Sequence, residues 1–471
     1  MNRIVRRIVR NTLAWLAGLA SFAVAAVAVL AGVTLFALRA GPGDWSQRVS
    51  LGPAGMDISV PALARVASHP LGMRLLAGRS AATRFGRIAI AIAADAEPGT
   101  LVVTCAPCVV DNASLAARPI RLAAVEFTVA AGEPNQLLGA IRIGAVRASW
   151  QVRLGGHDAT VEVDIADAAL ADLVALFGSA VPEAAVAKIE GRGGAAIRVA
   201  LPSGRTSVRP RLEGIVVAGL GTDVLAGVTP APSCGRTPRA QRSVAPYGTW
   251  LPKAVIAAED QRFFEHAGYD AAEMAAAWST EGPQAERRPR AGPLPSAVAL
   301  PWAESAWGSH PRGASTLSQQ LAKLLYTGDE RTLARKIREL LYAVELDRTL
   351  GKARVLQLYL AVAPWGDGVC GGEAAALHYF GKHAATLEPA EAVWLAGLLR
   401  NPELGLACGA RGDRADNARL VVIGESLRPI SRRRRAELRE ELERIVPPLP
   451  VLARAEAAVT GEMTVARRAA R

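Results

Sequence analysis

The sequence changes its apolar pattern once, near the middle of the chain, and this change constrains the fold more than any other feature. Residues 41–225 alternate apolar and polar positions over short runs, as in Ala159–Ile165 and Ala195–Leu201. Such alternation is typical of β-strands that are buried on one face. From residue 250 to about 445 the apolar spacing becomes helical. We therefore predict a multidomain α+β protein, with a β-rich part followed by a mostly α-helical part.

The 471 residues are enough for two or three domains with cores of their own. One helix is expected to interrupt the β-rich part near 168–177, and a proline-rich stretch indicates a linker. The predicted segments are a cytoplasmic stub and transmembrane anchor over 1–40, a β-rich exported domain of unknown role over 41–225, a linker over 226–246, a helical domain over 247–425 and a basic tail over 426–471.

The N-terminus indicates a membrane anchor. Four arginines within the first ten residues precede an uncharged apolar run, Leu13–Leu38. A helix rises about 1.5 Å per residue, so this run can span a hydrocarbon core of about 30 Å. The basic flank predicts a cytoplasmic N-terminus and an exported remainder. A cleaved signal peptide is the alternative, but the run is longer than a usual signal sequence, which favours a retained anchor.

Charge and cysteine content narrow the choice of partner and compartment. The net charge of +12 suits an anionic partner, and beside an apolar anchor it favours a membrane or a phosphorylated substrate over nucleic acid. Cys105 and Cys108 are three apart, and no second pair lies at zinc spacing. In an exported domain this pattern predicts a local disulfide.

The first block that carries chemistry is Glu-Asp-Gln-Arg-Phe-Phe-Glu-His-Ala-Gly, which begins at Glu259. Glu259 follows an apolar stretch, so its carboxylate is expected at the end of a buried helix. Desolvation would raise its pKa and make it suitable as a general base near neutral pH. Asp260, Arg262 and His266 are expected to orient it. The alternative is a surface acid with no role.

The second block is Gly313–Lys323. Thr316 and Gln319 match a capping box, which predicts that a helix begins there. The first-turn N–H groups of such a helix can bind an anion. Gln320 and Lys323 share a helix face, and together these groups would suit a diphosphate. The alternative is an ordinary capped helix with a solvated lysine.

The third block places three cations around one carboxylate. Arg331, Arg335 and Glu339 are spaced by four on a predicted helix, and with Lys336 they fall within an arc of about 140°. The cations are expected to lower the pKa of Glu339, whereas an apolar setting raises that of Glu259. Such a pair can divide base and electrostatic roles. The alternative is surface pairing, worth about 0.2–0.5 kcal/mol per pair.

These blocks, with two later ones, resemble glycosyltransferase family 51, the peptidoglycan glycosyltransferases. The later blocks contain Leu358–Gly366 with Gly372–Ala376 and Tyr379–Lys382, then Glu391–Leu398 with Asn401-Pro402. The resemblance covers roughly 245–425. It implies a lysozyme-like helical catalytic domain over 247–425, a divalent cation (Mg or Mn) and no organic cofactor. The chain departs from the family pattern at Ala361, where the family has Asn, and in a longer stretch before Gly313.

The resemblance also implies roles for individual residues. Glu259 matches the general base that deprotonates the acceptor sugar hydroxyl, and Glu339 matches a second essential glutamate. Lys323 and Arg331 match cations that bind the donor diphosphate. The other substrate-binding positions implied are Asp260, Phe263, His266, Ser315, Thr316, Gln319, Gln320, Arg335 and Lys336.

The implied reaction is polymerisation of lipid II into β-1,4-linked glycan strands, with release of undecaprenyl diphosphate. The expected partners are lipid II, the growing lipid-linked strand and the membrane, with other cell-wall synthesis proteins as candidates and no nucleic acid. No penicillin-binding transpeptidase motifs follow, so the chain resembles a monofunctional enzyme with an extra exported domain. The expected location is the bacterial inner membrane, single-pass, with the catalytic domain periplasmic.

Two alternatives stay open. A lysozyme-like hydrolase or lytic transglycosylase needs two carboxylates that flank the bond, but it does not need a cationic pocket or an anchor. An inactive envelope scaffold is supported only by Ala361, and the presence of Glu259 and Glu339 opposes it.

Overall fold

The computed structural model describes most of the chain between residues 38 and 445. The described residues are 38–41, 46–51, 54–59, 61–63, 65, 69–93, 100–133, 135–155, 157–201, 203–228, 247–278, 315–366, 368–400 and 417–445. The predicted anchor run Leu13–Leu38 lies outside them except for its last residue, and so does most of the predicted linker. Among helices within the described residues, none has the length and apolar character needed to cross a bilayer.

The chain forms two compact units, and each combines segments that are distant in sequence. The first consists of 1–108, 123–165 and 197–205, and the second of 109–122, 166–196 and 206–471. We call residues 109–122, 166–196 and 206–228 the early segments. They precede the helical domain in the chain but belong to the same compact unit as its helices.

Twelve strands are described. They are β1 Ser46–Leu51, β2 Ala54–Ser59, β3 Ser80–Thr83, β4 Gly86–Ile92, β5 Leu101–Val110, β6 Ile120–Leu122, β7 Val125–Ala131, β8 Gln136–Ile143, β9 Val146–Leu154, β10 Ala159–Ala169, β11 Lys188–Leu201 and β12 Arg205–Ala218. In the first unit, β1 and β2 pair antiparallel. A larger antiparallel sheet runs in the order β3-β4-β5-β7-β8-β9-β10.

The predicted β-rich pattern is confirmed as a mixed α and β fold with a large antiparallel sheet. In β10, Val161 lies opposite Val152 of β9, and Val163 lies opposite Trp150. The predicted local disulfide is also confirmed, because Cys105 and Cys108 are bonded to each other. The first unit also contains the helix α1 Pro70–Leu76.

The second unit contains the other helices. They are α2 Leu170–Ala175, α3 Trp250–Glu259, α4 Ala271–Trp278, α5 Leu317–Ala322, α6 Leu333–Val362, α7 Gly372–Phe380, α8 Pro389–Leu398, α9 Asn417–Ser426 and α10 Arg432–Arg444. The helix expected near 168–177 is therefore present. Gly351 interrupts α6 with φ 72° and ψ 161°, so this element is two helical segments joined at a kink.

The larger core of the second unit surrounds α3, α5 and α8. Its fully buried side chains include Phe263, Trp365 and Tyr379. Leu438 and Leu442 of α10 belong to the same core, although α10 lies beyond the predicted boundary at residue 425. Each fully buried leucine of this kind contributes about 1.5–3 kcal/mol relative to an exposed one. The helix that carries the arginine run is thus packed on its apolar face.

A second core joins α6 to the early segments. Leu340, Leu341 and Val344 of α6 form one buried cluster with apolar side chains of the early segments. These partners are Ala116, Ile120, Leu170, Val174, Val181, Ile215 and Val217. The first half of α6 therefore completes its packing with residues from before the helical domain.

The segment after α3 approaches the backbone of α6 closely at Gly268. Gly268 has φ +86°, and a Cβ placed there would lie 2.5 Å from the carbonyl oxygen of Ala343. The Thr316 hydroxyl donates to the Gly268 carbonyl at 2.7 Å. Both the left-handed backbone and the close approach require glycine at this position.

We expect Gly268→Ala to destabilise the protein more than Gly351→Ala does. Each change places a Cβ on a backbone with positive φ, at a cost of about 1–3 kcal/mol. Only Gly268→Ala adds a backbone clash, since no atom lies within 4 Å of a Cβ at Gly351. Thermal unfolding of the full-length variants in detergent measures the difference. Equal losses would contradict a steric role for Gly268.

Candidate active site

Glu259 is held at the end of α3 by two neighbouring side chains. The Gln320 amide donates from Nε2 to Oε2 of Glu259 at 2.9 Å, and Nη2 of Arg419 contacts Oε1 at 3.2 Å. The Glu259 side chain is 8% exposed. Burial raises its pKa, while Gln320, Arg419 and Arg400 oppose the rise. The prediction of a buried carboxyl with a raised pKa is confirmed.

Tyr359 sets the orientation of the Gln320 amide. The Tyr359 hydroxyl donates to Oε1 of Gln320 at 2.8 Å, so Nε2 is the atom that faces Glu259. Burial and the nearby Glu259 raise the pKa of Tyr359 well above its ordinary value. The phenol therefore stays protonated and keeps its donor role.

Asp260 and His266 lie beside the start of α5 rather than against Glu259. Asp260 accepts a hydrogen bond from the Leu317 N–H at 2.9 Å, and Nε2 of His266 lies 3.0 Å from the same carboxylate. Both side chains are buried. The expectation that they orient Glu259 by contact is not met in the described contacts. Arg262 likewise turns away and pairs with Asp270.

The predicted anion site at the start of α5 needs correction. Leu317, Ser318 and Gln319 are fully buried, and the Leu317 N–H is already bonded to Asp260. The Asp260 carboxylate therefore occupies the helix start at which a diphosphate was predicted to bind. Phe263 is also fully buried and packs in the larger core, so it anchors the segment after α3 that carries Asp260.

The predicted capping box is confirmed. The Gln319 N–H donates to the Thr316 hydroxyl at 3.2 Å, and the Thr316 N–H donates to Oε1 of Gln319 at 3.1 Å. Both residues are buried. The reciprocal bonds satisfy two backbone donors at the helix start, so these residues fix the segment that carries Ser315 and Gln320.

Glu339 is buried between cations on α6. Its side chain is 2% exposed and pairs with Arg335 one turn earlier and with Nζ of Lys336 at 2.7 Å. Nζ of Lys336 also donates to the Ser315 hydroxyl. Burial lowers the pKa of Lys336, and the charges of Arg335 and Lys323 lower it further. Arg335 is itself buried, so its guanidinium pairs with Glu339 and is not presented on the protein surface.

The prediction that Arg331 shares a helix face with Glu339 is wrong. Helix α6 begins at Leu333, with Thr332 as its N-cap. The extended Thr332 accepts a hydrogen bond from the Arg335 N–H at 3.1 Å and caps the helix at its N-terminus. The helix therefore begins after Arg331. Arg331 is exposed and lies outside the helix.

Lys323 is the more accessible of the predicted lysines. Its side chain is 42% exposed and contacts the exposed Asp329 at 2.8 Å. A short π-helical turn follows α5 over Lys323–Thr327. Because Lys323 contributes to the lowered pKa of Lys336, the two positive charges lie near each other. An incoming anion would therefore meet Lys323 before the buried Lys336.

The start of α5 connects the two glutamates. Gln320 contacts Glu259, and five residues earlier Ser315 contacts Lys336, which pairs with Glu339. The structure thus brings most of the predicted site residues into one continuous set of contacts. It can combine a raised-pKa carboxylate with a second carboxylate held by cations.

Sequence reasoning missed several side chains of this network. Arg419 follows a stretch outside the motifs, and no spacing marked it. Tyr359 lies inside a recognised block, but nothing indicated its contact with Gln320. Asp347 and Lys352 also escaped notice, although Asp347 accepts from the Ser318 hydroxyl at 2.6 Å and pairs with Lys352 at 2.5 Å. Their positions at i and i+5 gave no helical pairing signal.

A pocket of about 620 Å³ adjoins α3. Its lining includes the apolar side chains of Ile256 and Phe264 and the cations Lys253 and Arg428, and none of the described residues that line it is acidic. Glu259 does not line it. The pocket therefore places apolar surface and positive charge beside the helix that ends at the candidate base.

The described residues hold no group of three or more His, Cys, Asp or Glu side chains that could bind a metal ion. A magnesium ion bound with a phosphorylated substrate commonly takes only one or two protein carboxylates. The fit of a divalent cation therefore rests on the substrate supplying most ligands, and the expected cation stays a prediction.

Comparison with known proteins agrees with this arrangement. Residues 295–425 match the sequence model of the family described as Transglycosylase. A biosynthetic peptidoglycan transglycosylase of Nitrosomonas eutropha is 41% identical over 152 residues, which cover 32% of this chain and 53% of that protein. One from Thiobacillus denitrificans is 36% identical over 173 residues, which cover 37% of this chain and 64% of that protein.

Residues 295–425 thus resemble the Transglycosylase family, and the resemblance to the monofunctional enzymes of glycosyltransferase family 51 is confirmed as a resemblance. It spans between about half and two thirds of the length of these curated relatives.

We expect Arg419→Met to raise the pKa of Glu259 further, because the guanidinium stabilises the ionised carboxylate. A carboxyl ¹³C NMR titration of glutamate-labelled protein measures this pKa, with the Glu259 signal assigned by its loss in Glu259→Gln. Arg433→Met, which removes an exposed partner of Glu437, is the control. An unchanged or lower pKa in Arg419→Met would contradict the assigned contact.

Proposed function

We propose that this protein is a peptidoglycan glycosyltransferase that polymerises lipid II into β-1,4-linked glycan strands and releases undecaprenyl diphosphate. The observation that carries the proposal is the contact chain from Glu259 through Gln320 and Ser315 to the Lys336–Glu339 pair. The relatives named as biosynthetic peptidoglycan transglycosylases support the same reaction.

Glu259 acts as the general base in this proposal. Its carboxylate removes the proton from the acceptor sugar hydroxyl, whose oxygen then forms a bond to the anomeric carbon of the donor. The raised pKa brings the base nearer to neutral pH, where it accepts a proton more readily than an ordinary glutamate. Gln320 and Arg419 oppose this rise and so favour the ionised form that accepts the proton.

The diphosphate leaves with the electron pair of the broken bond to the anomeric carbon. Negative charge develops on it, and cations aimed at this charge stabilise the transition state. Lys323 and Arg331 are exposed and can approach the diphosphate directly. Lys336 and Arg335 are buried against Glu339 and pair with this second carboxylate. A divalent cation bound with the diphosphate would add positive charge at the same place.

We place the enzyme at the bacterial inner membrane, with its catalytic unit on the periplasmic side. Donor and acceptor are both lipid-linked, which requires access to the bilayer. The Cys105–Cys108 disulfide is typical of an oxidising compartment outside the cytoplasm. The apolar N-terminal run supplies a single-pass anchor in this proposal.

We expect detergent-solubilised wild type to convert labelled lipid II into long glycan. Glu259→Gln should lower the rate by about 10²-fold or more, because general-base catalysis typically contributes 10²–10⁴-fold. Glu339→Gln should also lose most activity, since it leaves Arg335 and Lys336 without their carboxylate. Gel separation of products measures both, and thermal unfolding checks that the variants are folded.

The products decide between the candidate functions. Cleavage of preformed glycan without polymerisation by wild type would instead establish a hydrolase or lytic transglycosylase. Binding of lipid II with neither reaction would indicate a scaffold.

The lowered pKa of Lys336 predicts the alkaline side of the activity profile. A lysine with a lowered pKa loses its charge at lower pH than the ordinary value of about 10.4, whereas an arginine stays charged. Activity that needs this charge is therefore present below the lowered pKa and is lost as pH rises through it.

We expect Lys336→Arg to shift the alkaline limb of kcat/KM to higher pH, by about one unit or more. Lys382→Arg, at an exposed pair with Glu391, should leave the limb unchanged. An unshifted limb in Lys336→Arg would show that another group controls it.

A further inference from the structure

The helix that carries Glu339 is fixed by the early segments at several points along its length. At its start, the N–H groups of Leu333 and Ala334 donate to the carbonyls of Ser114 and Leu115, each at 2.9 Å. These are first-turn donors that have no partner within the helix. The early segments therefore supply backbone acceptors where α6 begins.

A partly buried ion pair fixes α6 next to Glu339. Nε of Arg338 donates to Oε1 of Glu183 at 2.7 Å, and Glu183 is 4% exposed. Arg338 is the immediate neighbour of Glu339 in the chain, so any shift of its backbone moves Glu339 as well. Removing Arg338 is costly, because the buried Glu183 carboxylate is left without its cation.

About two turns further on, Glu345 binds the backbone of the early segments. Its buried carboxylate accepts hydrogen bonds from the Leu220 N–H at 2.9 Å and from the Thr222 N–H and hydroxyl at 3.2 and 3.0 Å. Nothing in the proposed reaction uses this carboxylate. Three convergent donors on a buried charge fix both the position and the rotation of α6 at this point.

The apolar contacts act in the same direction. Leu340, Leu341 and Val344 pack against the early segments, and Leu340 directly follows Glu339 in α6. Backbone, charged and apolar contacts thus hold one half-helix, and that half-helix presents Glu339 and Lys336.

We propose that Glu345 and the Arg338–Glu183 pair are positioning residues for Glu339 and Lys336, and that the early segments form part of the catalytic unit. This inference rests on the proposed function. The early segments set the turnover of the transferase by fixing the rotation of α6 and its position along its axis, without contact to substrate.

The test compares Arg338→Met and Glu345→Gln with Arg354→Met in the full-length protein. Arg354 also binds the early segments, through the carbonyls of Leu225 and Val228, but it lies beyond the Gly351 kink. We expect Arg338→Met and Glu345→Gln to lower kcat by roughly ten- to a hundredfold with KM within about twofold, since a misplacement of about 1 Å can cost 10²-fold. Arg354→Met should lower thermal stability and leave kcat unchanged.

Two further readouts separate positioning from stability alone. Arg338→Lys, which keeps a charge opposite Glu183, should recover much of the lost kcat. The carboxyl ¹³C signal of Glu339, assigned by its loss in Glu339→Gln, should move in Arg338→Met and Glu345→Gln but not in Arg354→Met. A fall in stability with kcat per folded molecule and the Glu339 signal unchanged would overturn the inference. Because the NMR signal needs no substrate, it tests the inference even if wild type fails to polymerise lipid II.

Discussion

The hydrogen bond from the Leu317 N–H to Asp260 is the constraint on which the rest of the site depends. It joins the loop after α3 to the start of α5, and the capping box of Thr316 and Gln319 stiffens the same turn. With this turn fixed, Gln320 reaches Glu259 on one side and Ser315 reaches Lys336 on the other. A carboxylate at a helix start is favoured by the backbone N–H groups, so the arrangement is stable without a ligand.

The site depends on buried charges that are individually unfavourable. Glu259, Glu339 and Glu345 are all largely removed from water within one compact unit, and each has hydrogen-bonding partners. Their environments differ in a way that matches their proposed roles. Glu259 has a raised pKa that Gln320, Arg419 and Arg400 only oppose, whereas Glu339 lies between Arg335 and Lys336. The two environments therefore suit the roles proposed for Glu259 as general base and for Glu339 as a fixed second carboxylate.

Local signals in the sequence predicted the local parts of this structure. Strand alternation, the helix near residue 170, the capping box and the end of α3 at Glu259 all follow from short patterns. The position of Arg331 was predicted wrongly because the helical spacing was extended back to a residue before Thr332. Thr332 is the N-cap, so the helix begins after Arg331. The contacts of Tyr359 and Arg419 were not predictable, because periodicity marks which faces are buried but not which side chains meet there.

The bond between Leu333 and Ser114 joins positions 219 residues apart, as the difference 333 − 114 gives. Closing so long a loop is entropically unfavourable, and contacts of this range slow folding. The first half of α6 cannot bury Leu340 and Leu341 fully until the early segments are in place. During synthesis those segments leave the ribosome before α6 does, so they are available when α6 emerges. Until this long loop closes, the apolar face of α6 lacks its buried partners and stays open to solvent.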